Sequence, residues 1–166
     1  MNMRRPGLVL AGLLGMGLLA GCVMAGPRYP SGLPCGFHYL GQAILPTGSS
    51  FGGLQIGGLS GIDRDPVSGR YWAISDDRSS HGPARVYELD IDTARLERRN
   101  DAGPEAVTVL SQVALRDRFG ATYPRMMVDP EAVRLLPGGR GLLYSFEGER
   151  SPRRMMSPGV REVGLD

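Results

Sequence analysis

Eighteen residues of this chain recur, without a gap, further along it. Ser60–Asp77, SGIDRDPVSGRYWAISDD, can be laid on Glu131–Gly148, EAVRLLPGGRGLLYSFEG, so that Ile62 falls on Val133, Pro66 on Pro137, Trp72 on Leu143 and Asp76 on Glu147. Each copy reads as strand, turn, strand and carboxylate. In the first copy Pro66 presets φ for the corner of Asp65-Pro66-Val67-Ser68-Gly69, and Gly69 can take positive φ where the chain re-enters the sheet. Tyr71-Trp72-Ala73-Ile74 supplies the aromatic and β-branched residues that suit a pleated strand. Arg85-Val86-Tyr87-Glu88-Leu89 adds a third strand, so Gly57–Asp92 is expected to be a three-stranded meander. A meander of that size cannot bury both faces by itself and must belong to something larger.

The spacing of 71 residues between copies exceeds the roughly 40–50 residues of one four-stranded blade. Ala84–Asp92 and Glu105–Leu115 read as strands within that interval, and Arg116–Asp129 reads as a loop at a rim. The fold class expected is therefore all-β and β-propeller-like, with twisted sheets arranged radially about a channel. The count of 25 Gly and 13 Pro, with no periodic tract, fits a fold rich in tight turns. Phe37–Leu45 is expected as a first strand, Pro46–Gly53 as a loop, and Pro152–Pro158 as the loop before a further strand.

The N-terminus carries a different message. Arg4 and Arg5 precede an apolar and glycine run, Leu8–Ala20, which is too short to span a bilayer comfortably and suits the core of a signal peptide. Leu19-Ala20-Gly21-Cys22 resembles the bacterial lipobox, which implies acylation of Cys22 and a membrane anchor without a spanning segment. The alternative is an ordinary secretory signal cleaved near Ala25. Val23 after the cysteine favours an outer-membrane lipoprotein facing the periplasm. The expected organisation is a leader over residues 1–21, the acylated cysteine and a Gly-, Pro- and Ser-rich tether over 22–36, and a domain over 37–166. With Cys22 acylated, Cys35 is unpaired or pairs with another chain, and an inert thiol is the reading adopted.

Removal of the leader takes away two of the 19 basic residues, all of them arginine, and none of the 17 acidic ones. The remainder is formally neutral and has no basic stripe, which argues against nucleic-acid binding. The acidic residues are more informative. Equivalent strand ends of neighbouring blades face the same mouth of a channel, so Asp76 and Glu147 are expected to converge. Gathered carboxylates repel one another unless a hard cation sits among them, and calcium accepts about six to eight oxygens without strict geometry. Asp77, Glu131 and Glu149 are further candidate oxygens; the alternative is that each carboxylate caps a turn in solvent. His38 and His81 read as structural or surface residues. Ser60 is not a convincing nucleophile, because Gly58-Leu59-Ser60-Gly61-Ile62 has Ile where a nucleophile elbow ends in Gly.

Four segments, GGLSGIDRDPVSGRYWAISDDR, ARVYELDID, DPEAVRLLPGGRGLLYSFEGER and PGVREVGLD, resemble in their order the phytase-like domain of exported bacterial proteins, labelled "esterase-like activity of phytase". The resemblance implies a propeller-like fold and hydrolysis of phosphate esters, with a phosphorylated small molecule as substrate. Asp76, Asp77, Arg78, Glu131 and Glu147 match its recurrent polar positions. On that basis calcium held by Asp76, Asp77, Glu131 and Glu147 would polarise a phosphate and acidify an attacking water. Arg78 and Arg150 would bind the phosphate oxygens. No residue is singled out as catalytic. The competing reading is a non-catalytic, lipid-anchored propeller that binds a ligand or an envelope partner. A full domain of this kind is considerably longer, so the chain is expected to hold about two blades of an incomplete ring, and an activity inferred from the family need not survive in it.

Overall fold

The computed structural model describes residues 36, 39–99, 101–152 and 154–165. The leader, Cys22, Cys35 and His38 lie outside the described residues. A small hairpin comes first, β1 (Ser50–Phe51) and β2 (Leu54–Gln55), turned by Gly52-Gly53. An antiparallel meander of four strands follows: β3 (Leu59–Arg64), β4 (Tyr71–Ser75), β5 (Arg85–Ile91) and β6 (Val107–Ala114). A second sheet is built from β7 (Pro130–Leu135), β8 (Gly141–Phe146) and β11 (Gly159–Gly164), with β8 in the middle. Between β8 and β11 the chain makes a hairpin of β9 (Glu149–Ser151) and β10 (Arg154–Met156). The domain is all-β and propeller-like, with two main sheets that do not close into a ring.

The two sheets are copies in register as well as in sequence. Leu59 pairs with Ser75 and Ile62 with Ala73, with a bulge between; Pro130 pairs with Phe146 and Val133 with Tyr144, again with a bulge between. Each position is shifted by the 71 residues read from the sequence. The corners match too, since Asp65 N–H donates to Arg70 C=O at 2.8 Å and Leu136 N–H to Gly141 C=O at 2.9 Å. Gly69 has φ +77°, as the turn chemistry of the first copy requires. At the far strand ends Asp76 N–H donates to Gly58 C=O (2.8 Å), and Glu147 N–H donates to Asp129 C=O (2.9 Å). The copies diverge only after that, where the second carries the extra β9–β10 hairpin.

β3 of the first sheet lies beside β7 of the second. A Cβ on Gly61 would sit 2.6 Å from Ala132 Cα and 2.9 Å from the Glu131 carbonyl, so only glycine lets the two backbones come this close. The main core fills the space between the sheets: Ile74, Val86 and Leu115 from the first pack with Val133, Leu142 and Tyr144 from the second, and Trp72 and Phe146 lie against them. Alternation along the strands sends Ala73, Tyr87 and Leu89 to the opposite face, where Ile56, Tyr71 and Ile91 cover them.

Three expectations are corrected. Residues 39–45 form no strand; Gln42 makes a single bridge, to Asp101, and with no ladder to turn alternate side chains inward Tyr39 and Ile44 stay exposed. The loop expected over Pro46–Gly53 instead contains β1 and the turn to β2, held to the meander by Arg85 and Tyr87, which donate to the Gln55 carbonyl. Pro152–Pro158 is not a plain loop but contains β10, pinned by an ion pair between Arg154 and Glu149 at 3.5 Å. A short helix, α1 (Thr93–Arg98), follows β5; Asp92 caps it by accepting from Arg95 N–H at 2.8 Å. Among the described residues no helix is long and apolar enough to cross a membrane.

Candidate metal centre

The loop after β6 brings Asp129 to the start of β7, and its carboxylate is buried, with 5% of the residue exposed. Glu131 is the second residue of β7, and Glu147 follows β8 directly. One carboxylate oxygen from each of the three lies within 4.8 Å of the others. The backbone bond from Glu147 N–H to Asp129 C=O ties the two strand ends together and thus fixes the spacing of their side chains. Ser60 reaches across from β3: its hydroxyl donates to the Glu131 carbonyl at 2.8 Å and approaches Oε2 at 3.2 Å. This residue, then, positions the cluster and packs β3 on β7.

Burial pushes the Glu131 carboxyl up; the Ser60 hydroxyl offsets part of this, while the neighbouring charges of Asp129, Glu147 and Asp76 push it further the same way. So Asp76 is within electrostatic reach of Glu131, although it is not one of the three carboxylates that gather. Its counterpart relations are instructive. Gly58 stands where the second copy has Asp129, and a Cβ there would overlap Asp76 Oδ1, at a φ of +57°. The first copy therefore tucks one carboxylate against bare backbone, and the second adds two more acids in the places of Gly58 and Ser60.

Arg78 caps the group. Its guanidinium is ion-paired with Asp129, and it is held charged by that hydrogen bond and by the fields of Asp129, Glu149 and Glu147. Arg78 and Ser79 have φ of +51° and +57°, and Met126, whose N–H donates to the Arg78 carbonyl at 2.7 Å, has +64°. Left-handed non-glycine backbone on both loops beside the carboxylates is strain that the surrounding contacts must hold in place.

The other expected site residues go elsewhere. Asp77 has Gly148 as its counterpart, and its carboxylate turns away from the cluster. It accepts from Arg85 Nη1 at 3.1 Å, from the His81 backbone N–H at 3.1 Å and faces His81 Nδ1 at 2.8 Å. Burial raises the Asp77 carboxyl, but the hydrogen bonds from His81 and Arg85 outweigh it and leave it below the usual carboxylate range. Arg85 is itself buried, and its remaining donors go to the Pro83 and Gln55 carbonyls and Tyr87 Oη. Glu149 is occupied by Arg154. Arg150 is exposed on β9 opposite Met155, with no ion pair among those of the described residues. Asp129 is the residue that sequence reasoning passed over. Its signal was the Asp-Pro-Glu run, in which only Glu131 fell within the aligned repeat.

The donor set is all carboxylate oxygen, with no sulfur or imidazole, which suits a hard cation such as calcium or magnesium better than zinc. The neighbouring negative charges, which add to burial in raising Glu131, are also what a bound cation would offset. The residues present thus fit a divalent cation.

Fold and site together define a propeller-like β-domain with three carboxylates gathered at one end of its second sheet. A family model for phytase-like proteins, "Esterase-like activity of phytase", matches residues 54–166, and the chain belongs to that family. Neither a curated protein nor a solved structure shows significant similarity to it.

Proposed function

We propose that this domain is a metal-assisted hydrolase of phosphate esters, with Asp129, Glu131 and Glu147 as its cation ligands. The observation that carries the reading is the approach of these three carboxylates to within 4.8 Å in a member of the phytase-like family. Asp76 borders the group and would add an oxygen directly or through water. A bound calcium ion would supply positive charge to polarise the phosphoryl oxygens and acidify a water. The chain's own residues do the positioning. Ser60 holds Glu131, the Glu147–Asp129 backbone bond holds the two strand ends, and Arg78 keeps guanidinium donors beyond the one on Asp129 for phosphate oxygens. Arg150, exposed on β9, would meet only a substrate that extends past the cluster.

We also infer that the domain is delivered to the outer membrane as a lipoprotein anchored through Cys22 and facing the periplasm. Labelled palmitate should enter the wild-type chain and not Cys22→Ser; equal labelling would refute the anchor.

A second reading has its own support. The Arg78–Asp129 ion pair already neutralises one ligand, which suits a cluster that serves a non-catalytic ligand or envelope partner. Hydrolysis of p-nitrophenyl phosphate, with calcium and with EDTA, separates the two. The hydrolase predicts calcium-dependent turnover that Glu131→Gln and Glu147→Gln abolish; calcium binding with no turnover favours the second reading.

A further inference from the structure

A second cleft lies between the loop that follows β6 and the strand β11, with none of the cluster carboxylates in its wall. It encloses about 690 Å³ and is lined by Arg116, Arg118, Phe119, Tyr123, Met127 and Arg161, among others. Three arginines face one space, and none of them appears in an ion pair among the described residues. Two carboxylates share the wall. Asp117 uses one oxygen, Oδ1, in its own turn, taking Phe119 N–H at 2.8 Å and Ala121 N–H at 3.0 Å. Glu162 is exposed and in no ion pair among the described residues, and three guanidiniums against two carboxylates leave the wall one positive charge in surplus.

Arg161 is held in place from below. Its guanidinium lies 4.4 Å from the centroid of the Phe146 ring and 5.3 Å from that of Tyr123, and it donates to Tyr123 Oη. Tyr123 is fixed in turn by Tyr144 Oη at 2.9 Å and by donation to the Arg116 carbonyl at 3.2 Å. Burial and the neighbouring phenol drive Tyr144 well above the ordinary range, so that phenol stays neutral and does not cancel the arginine. A guanidinium fixed by two rings and a hydrogen bond gives up little side-chain entropy when an anion arrives. Above it Phe119 is 79% exposed, with Arg118 stacked at 4.7 Å, and Met127 is 46% exposed. Exposed apolar groups beside fixed cations suit an anion with an organic part.

We propose that this cleft binds a phosphate-bearing organic anion, with Arg161 as the anchor, Arg116 and Arg118 as further donors and Phe119 against the organic group. Phenylphosphonate, which carries the same anion and a ring and cannot be hydrolysed as an ester, is the probe. Calorimetric titration in EDTA keeps any cation out of the carboxylate cluster, so the outcome does not depend on the hydrolase reading. The wild-type chain is expected to bind it, and Arg161→Gln to weaken binding roughly tenfold or more. Arg118→Gln leaves the Tyr123 network intact and is expected to weaken it several-fold. No binding by the wild type, or unchanged binding in both variants, overturns the proposal. Vesicles of phosphatidic acid distinguish the source: displacement of the probe assigns the cleft to lipid headgroup phosphate, and no displacement assigns it to a soluble phosphate compound.

Discussion

Glu131 sits among three other carboxylates and is half-buried, which sets the sign of its contribution to stability. Its folded pKa is raised, so relative to the unfolded chain the cation-free fold favours the protonated form. The stabilisation is complete below the unfolded glutamate range and is lost as pH rises through the raised value. Glu131→Gln should therefore raise the melting temperature in EDTA at neutral pH by no more than a few degrees, while calcium should stop stabilising the variant. Scanning calorimetry with EDTA and with excess calcium checks both. Asp77 behaves in the opposite sense. Its pKa is lowered, so its contribution is present above the unfolded aspartate range and fades as pH falls through the lowered value. Asp77→Ala leaves the buried Arg85 without its carboxylate and should cost about 3 kcal/mol, whereas the exposed His81 should cost under about 1 kcal/mol when replaced by Ala. Urea unfolding of both variants at neutral pH measures the difference.

The strand pair β3–β7 is the joint on which the site depends. Ser60 and Glu131 meet because Gly61 lets β3 come down onto Ala132. Gly61→Ala puts a methyl group against backbone that has no room to yield, and should cost about 1–3 kcal/mol. Gly57→Ala, where nothing lies within 4 Å of the added carbon, should stay within about 0.5 kcal/mol of wild type. If the two variants unfold at the same urea concentration, the close packing of the strands is not what holds the sheets together. The strands themselves were legible in the sequence because turn chemistry and β-branched runs are local signals: Pro66 and Gly69 mark the corner, and Ile74 and Val133 mark the buried faces. The hairpin over Ser50–Gln55 was not, because its partners, Arg85 and Gln112, lie far along the chain.

For the molecule as a whole, the internal repeat carried the most information. It anticipated the matching strand–turn–strand layout of both sheets, whereas the three carboxylates that gather, Asp129, Glu131 and Glu147, all lie at the second copy. It could not show which acids turn inward. Asp76 and Asp77 are adjacent and chemically alike, yet Arg85 captures Asp77, while Asp76 lies against Gly58 and acts on Glu131 only through its field. Asp129 was hidden for a related reason, since its counterpart is Gly58 and a comparison of copies has no acid to match there. The central claim is that Asp129, Glu131 and Glu147 form one cation site. Calcium titration by calorimetry tests it most directly, with the wild-type chain beside Glu147→Gln and, as a control outside the cluster, Glu105→Gln. A single site is predicted in the wild type and in the control, weakened at least tenfold in Glu147→Gln. Calcium binding that Glu147→Gln leaves unchanged, or no binding to the wild type, would contradict it.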